Sequence, residues 1–274
     1  MDEKIMGLKK TLVENKVIII LLLASTLFFA HQHTSGVSWD FAVYVLNAKY
    51  MFSGGQYFEW ERPPLTPTII FALSFLGYKI AEYAYIIIVS AVFTLACVKI
   101  SDSASIDKNI FYALMLSPYL LNYGFLAGTE LLSLSLLMLA LATIKERKTG
   151  LFFGLSLLTR YMSIPYILLL SAKRNAKEII IALLIMFLLF TPWMFYNQVQ
   201  KGHPLYSVAS HLILNLQGKP EGHHGPGLDS LTIPTWLLLA FGLAGLVLKY
   251  RKGFNETDYI ILGFAAITLL LYLN

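Results

Sequence analysis

Between Val17 and Ala30 the chain carries a run of residues apolar enough to enter a bilayer, and further apolar runs recur behind it, set apart by short clusters of lysine and arginine. No other feature limits the fold as strongly. In hydrocarbon a chain must satisfy its own backbone polar groups, which favours helices, and basic residues flanking such runs set their orientation. The expectation is an all-α, polytopic transmembrane helical protein forming a single membrane-embedded domain over residues 1–274. Composition agrees: 57% of residues are hydrophobic and 14% charged, against roughly 25% charged in soluble domains. The net charge of +5 belongs to the flanking clusters and does not argue for nucleic-acid binding. One cysteine, Cys97 in an apolar run, excludes an intramolecular disulfide and a multi-cysteine metal site.

The basic clusters give an orientation. Lys4, Lys9, Lys10 and Lys16 precede the first run and put the N-terminus in the cytoplasm of a cell-membrane protein. No clear small-residue cleavage site precedes His31, so the first helix reads as uncleaved. The chain then emerges into an outer loop, residues 31–64. In it Phe41, Tyr44, Val45, Ala48 and Phe52 recur at helical spacing while Asn47 and Lys49 fall elsewhere. This predicts a short amphipathic helix in the interface, with Ser38 as N-cap and Gly54-Gly55 as stop. Asp40 falls in its first turn, where the helix dipole favours a carboxylate.

Three apolar pieces follow: Leu65–Gly77, Tyr83–Ile100 and Ile110–Phe125. The cluster Lys145-Glu146-Arg147-Lys148 places the end of the next run, Leu131–Ile144, in the cytoplasm and Glu130 outside with Asp40. An even number of crossings must then separate Arg62 from Glu130. Leu65–Gly77 is the piece expected not to cross, being well short of the ~20 residues a span needs and opened by Pro63, Pro64 and Pro67. By the same reasoning Gly150–Leu170, between two basic clusters, enters and returns with its turn near Arg160-Tyr161; a single crossing with one cluster misplaced is the alternative. Glu178–Tyr196 crosses outward, residues 197–232 form a second outer loop, and two further spans end at Lys249–Lys252 and Leu273. Gly150-x-x-x-Gly154 suits close helix packing.

This topology collects Asp40, Glu59, Glu61, Arg62, Glu130 and Arg160 at the outer surface. Carboxylates such as Asp40 and Glu130, where an apolar helix meets the outer face, suit a general base toward a hydroxyl or a ligand for a divalent cation. Arg62 and Arg160 offer planar donors suited to phosphate. Transfer from a lipid-phosphate donor fits this set; a transport pathway or charged side chains reaching out from helix ends remains the alternative. The histidine pairs His31-x-His33 and His223-His224 lack a specific metal-binding spacing, and a polar loop is the plainer account of all six histidines. There is no His-Glu-x-x-His motif and no phosphate-cradling glycine loop.

Several segments also form a familiar series. Trp39-Asp40, Tyr44-x-x-Asn47-Ala48 and Gly54-Gly55 resemble the first outer loop of GT-C fold glycosyltransferases. Glu61-Arg62-Pro63-Pro64-Leu65-x-Pro67 resembles their basic-Pro-Pro-Leu motif. Thr129-Glu130-Leu131-Leu132, Gly154-Leu155-x-x-Leu158-Thr159-Arg160 and Thr191-Pro192-Trp193-x-x-Tyr196-Asn197 with Gly202-x-Pro204 resemble later landmarks, in order. The series covers approximately residues 15–206 and is most similar to protein O-mannosyltransferases and lipid A aminoarabinose transferases. The resemblance implies a GT-C-like fold with interfacial and re-entrant short helices, and transfer of a sugar from a polyprenyl-phosphate donor at the extracytoplasmic face. The acceptor would be a lipid, a glycan or a protein. Asp40 would be the base or acceptor-binding carboxylate and Glu130 the second acid. Arg62 and Arg160 would lie near the lipid phosphate, with Glu61, Tyr44 and Tyr161 as further substrate-binding residues. The cofactor question stays open, a divalent cation being the one candidate. Members of the family are commonly longer, so this chain reads as a minimal version or a fragment; an accessory protein or a transporter on the same fold is the runner-up.

Overall fold

The computed structural model describes residues 15–53, 57–126, 128–172, 175–216, 246, 253, 254 and 256–273. Among them all regular structure is helical, and three helices are long and apolar enough to cross a membrane: Lys16–Ser35, Tyr78–Ala104 and Ala176–Lys201. We label the helices in chain order: α1 (Lys16–Ser35), α2 (Trp39–Tyr50), α3 (Leu65–Leu73), α4 (Tyr78–Ala104), α5 (Lys108–Met115), α6 (Pro118–Tyr123), α7 (Glu130–Ala142), α8 (Thr149–Thr159), α9 (Ala176–Lys201), α10 (Tyr206–Leu216) and α11 (Glu256–Leu273). A 3-10 segment, Tyr161–Ala172, connects α8 toward α9.

α4 and α7 form the centre. Tyr85, Ile86, Val89, Phe93, Ala96 and Cys97 of α4 are fully buried, and α7 is buried along nearly its whole length. α1 and α9 pack on one side only. Leu23, Leu27, Leu184, Phe187 and Leu188 stay exposed on them, an apolar surface that water does not tolerate over such a length.

The shorter helical pieces begin and end near the expected residues, with one exception. α3 and the 3-10 turn Ser74–Leu76 stop at Gly77, whose φ of +88° ends the helix; twelve residues rise only ~18 Å. α8 ends at Arg160, which is extended (φ −151°, ψ 121°), and the 3-10 segment begins at the next residue. Three serines fasten this junction to α7: Ser156 Oγ donates to Ser163 Oγ at 2.9 Å, and Ser133 Oγ of α7 lies 3.1 and 3.0 Å from them. The exception is Ile110–Phe125, expected as one piece. It is divided into α5 and α6 at Ser117-Pro118, because proline disfavours helical backbone in the residue before it and suits the first position of a new helix. Ser117 caps α6 by accepting from Leu120 N. The divided pair still runs the full length of α1, in the same direction: Lys108 bonds Asn15, Tyr112 OH lies 3.2 Å from Ser25 Oγ, and Gln32 donates to Asn122 O at 3.0 Å.

The two glycines of α8 pack as expected. A Cβ on Gly150 would lie 2.3 Å from Ala182 O, and one on Gly154 2.7 Å from Leu189 Cδ1. Small residues therefore let α8 and α9 approach closely.

α2 forms as predicted and is capped by Ser38, whose Oγ accepts from Phe41 N at 3.2 Å. Its burial pattern corrects the reading in two places. Phe52 lies beyond the helix and is 71% exposed, while Asn47 is completely buried. The Gly54-Gly55 stop, the basic residues Lys173-Arg174 and Lys249–Lys252, and His223-His224 lie outside the described residues.

Candidate functional site

Helix ends build the site. Asp40 sits in the first turn of α2 and Glu130 opens α7, both at N-termini, where the dipole favours negative charge. Arg160 follows the last residue of α8, at a C-terminus, where it favours positive charge. α7 and α8 are antiparallel neighbours, so Glu130 and Arg160 meet: Arg160 Nη1 donates to Glu130 Oε1 and, at 3.3 Å, to Thr129 Oγ1. The other Glu130 oxygen accepts from Thr129 N at 3.2 Å.

Arg62 is held by a second pair of acids. Its Nη2 lies 2.7 Å from Asp40 Oδ1 and its Nε donates to Glu59 Oε2 at 3.1 Å. Glu59 is fixed by Asn47, whose Nδ2 donates to Glu59 O and whose Oδ1 accepts from Glu59 N, each at 2.9 Å. One buried amide thus ties the loop bearing Arg62 to the helix bearing Asp40. Tyr44, one turn from Asp40, lies under the Arg62 guanidinium, its ring centre 5.5 Å away. Burial pushes its phenol above the ordinary tyrosine value, against the opposing pull of Arg62 and Arg160.

These groups surround one cavity of about 260 Å³. All seven residues singled out from the sequence line it: Asp40, Tyr44, Glu61, Arg62, Glu130, Arg160 and Tyr161. Pro63 lines it as well, and the next residue, Pro64, borders a second, apolar groove of about 420 Å³ running between α3, α8 and α9 past Leu65, Leu158 and Trp193. The polar cavity and the apolar groove are thus lined by consecutive residues.

Four polar residues that line or support the cavity were not singled out. Asn47 and Thr129 stand inside the segments Tyr44-x-x-Asn47 and Thr129-Glu130, so their positions were signalled and their tasks were not. Glu59 was grouped with the outer acids without a role. His211 was placed at the outer surface with the other histidines and read there as part of a polar loop. It reaches the cavity from α10 and sets its ring edge-on to Tyr161 at 5.3 Å.

The remaining histidines divide. His33 is buried, 2.7 Å from Glu82 Oε2, and lies edge-on to Phe41, while His31 is exposed, so the two do not converge on a metal. Among the described residues no group of three or more His, Cys, Asp or Glu is arranged to hold a metal ion. The chain matches no known family model, no curated protein and no solved structure.

Proposed function

We propose that the chain is a membrane glycosyltransferase that takes a sugar from a polyprenyl-phosphate carrier and passes it to a hydroxyl at the extracytoplasmic face. One observation carries the reading. Two guanidinium groups and the carboxylates of Asp40 and Glu130, brought from segments up to 120 residues apart in the chain, line one cavity that adjoins an apolar groove. In this assignment Arg62 and Arg160 hold the donor's phosphate by charge-assisted hydrogen bonds, the prenyl chain lies in the groove past Leu65 and Trp193, and the acids face the acceptor. Negative charge developing on the leaving phosphate is stabilised by the arginines, which are already in place.

In the membrane, α1, α4, α7 and α9 cross, the α5–α6 pair crosses as a broken helix, and α8 with the 3-10 segment enters and returns. The N-terminus is cytoplasmic and the cavity extracytoplasmic. Trp39, 77% exposed at the cavity end, is the place to test this: a cysteine there, with Cys97→Ala, should react with an impermeant thiol reagent from outside intact cells. Reaction only after the inner face is exposed overturns the orientation.

Activity is tested with the purified full chain and a panel of polyprenyl-phosphate sugars offered to lipid, glycan and peptide acceptors. Transfer is expected from at least one, falling steeply in Asp40→Asn, which takes from Arg62 one of its two carboxylate partners. No transfer with any donor, or near-native transfer by Asp40→Asn, refutes the assignment.

A further inference from the structure

His211 lies on the cavity wall, and the way α10 is fastened explains why. Ser207 precedes His211 by four residues, which puts both on one helix face. Ser207 is completely buried, and its Oγ receives three hydrogen bonds: from Trp193 Nε1 at 2.8 Å, Asn197 Nδ2 at 3.0 Å and Tyr161 OH at 3.1 Å. Trp193 Nε1 also donates to Tyr161 OH at 2.9 Å. α9, the 3-10 segment and α10 are thus locked one turn before His211, and the lock uses Tyr161, the ring against which His211 rests. An exposed polar loop would need no such buried anchor.

We propose that His211 takes the proton of the incoming hydroxyl, while Asp40 and Glu130 act as positioning residues for the two arginines. This rests on the glycosyl-transfer reading. Asp40 Oδ1 is engaged by Arg62 and Glu130 Oε1 by Arg160, so each acid is already committed to a guanidinium. In the step, the acceptor oxygen bonds to the anomeric carbon and the carbon–oxygen bond to phosphate breaks, its electron pair staying with polyprenyl phosphate. The proton passes to an imidazole nitrogen, and the imidazolium later returns it to water.

The groups facing His211 are Glu61, Arg62, Arg160 and Tyr161, with Asp40, Glu59 and Glu130 on the same cavity. Burial comes first and favours the uncharged ring; the backbone of Glu61 and its carboxylate oppose this, and the two arginines reinforce it. The outcome is a value below the ordinary 6.5, so the ring is neutral and able to accept a proton at neutral pH.

The test uses the purified full chain in nanodiscs, the donor and acceptor found in the transfer panel, and farnesyl phosphate as a binding probe. His211→Gln should lower kcat about 10²–10⁴-fold, erase the acid limb of the kcat/KM profile below pH ~6.5, and keep farnesyl phosphate affinity within about threefold. His211→Ala should regain turnover with added imidazole, and Asp40→Asn should be slow yet keep the acid limb. Near-native turnover in His211→Gln, an acid limb that survives there, or loss of farnesyl phosphate binding overturns the proposal and leaves glycosyl transfer standing. A wild-type chain that transfers nothing overturns both.

Discussion

Replacing Asn47 tests whether one buried amide holds the site together. Its side chain makes two reciprocal bonds of 2.9 Å with the backbone of Glu59, twelve residues away in a segment with no helix of its own. Asn47→Ala removes both, at about 0.5–1.5 kcal/mol each, and strands the Glu59 N–H and C=O, at about 1–3 kcal/mol for a group that water cannot reach. The Glu59 side chain is 44% exposed, so water will recover part of this, and a total of about 2–4 kcal/mol is expected. Asn47→Asp is the sharper variant. It keeps the shape and the bond from Glu59 N but sets a carboxylate oxygen against the Glu59 carbonyl, and it buries a charge. It should be at least as damaging as alanine in thermal unfolding of the detergent-solubilised protein, and should speed proteolysis between Ser53 and Trp60. Because Glu59 and Asp40 jointly hold Arg62, farnesyl phosphate binding should weaken too. An Asn47→Asp protein with native stability and native binding would show that the amide is not what couples the loop to α2.

Other expectations follow from single contacts. Arg62→Lys keeps the charge but cannot reproduce a planar fork whose Nη2 meets Asp40 and whose Nε meets Glu59; isothermal titration with farnesyl phosphate should show an intermediate loss, with Arg62→Ala losing about 1.5–3 kcal/mol. Gly150→Ala should destabilise more than Gly154→Ala in thermal unfolding, because the new Cβ meets Ala182 backbone in the first case and chiefly the movable end of Leu189 in the second; overpacking of the first kind costs about 1–3 kcal/mol. Since the folded chain holds His211 below its ordinary 6.5, its contribution to stability is complete above that value and lost as pH falls through the lowered folded value. The melting temperature of wild type should therefore fall more steeply than that of His211→Gln as pH drops below 6.5.

How much of this was legible in the sequence depends on the range over which each feature is decided. Ser38 capping α2, the arrested Leu65–Leu76 piece, the α8–α9 approach at Gly150 and Gly154, and the end of α8 at Arg160 are each written within a few residues. The gathering of Asp40, Arg62, Glu130 and Arg160 followed from charge placement and counted crossings. The break at Ser117-Pro118 was local as well, but the apolar run across it masked the proline. Asn47 and His211 were different. A polar residue on a helix says nothing about a loop partner twelve residues on, and helical periodicity alone assigns it to water. His211 depends on Ser207, and Ser207 on donors from two other segments; four side chains must assemble before the histidine has a position.

The arrangement of charge has one more consequence, and it separates binding from turnover. Each arginine already has a carboxylate partner, so an incoming phosphate must share or displace it. With Asp40→Asn the competing charge is gone while Glu59 still accepts from Arg62 Nε. Repulsion between a carboxylate and a phosphate about 6 Å apart lies between ~0.7 and ~2.8 kcal/mol for effective dielectrics of ~80 and ~20. The Asp40 side chain is 46% exposed, which favours the screened end of that range, so about 1 kcal/mol is the working figure. Asp40→Asn should then bind farnesyl phosphate about fivefold more tightly than wild type while transferring sugar far more slowly. Raising the salt concentration should narrow the difference in affinity. Weaker binding by Asp40→Asn at every salt concentration would show that losing the anchor of Arg62 outweighs the relief of repulsion, the guanidinium without Asp40 no longer facing the cavity.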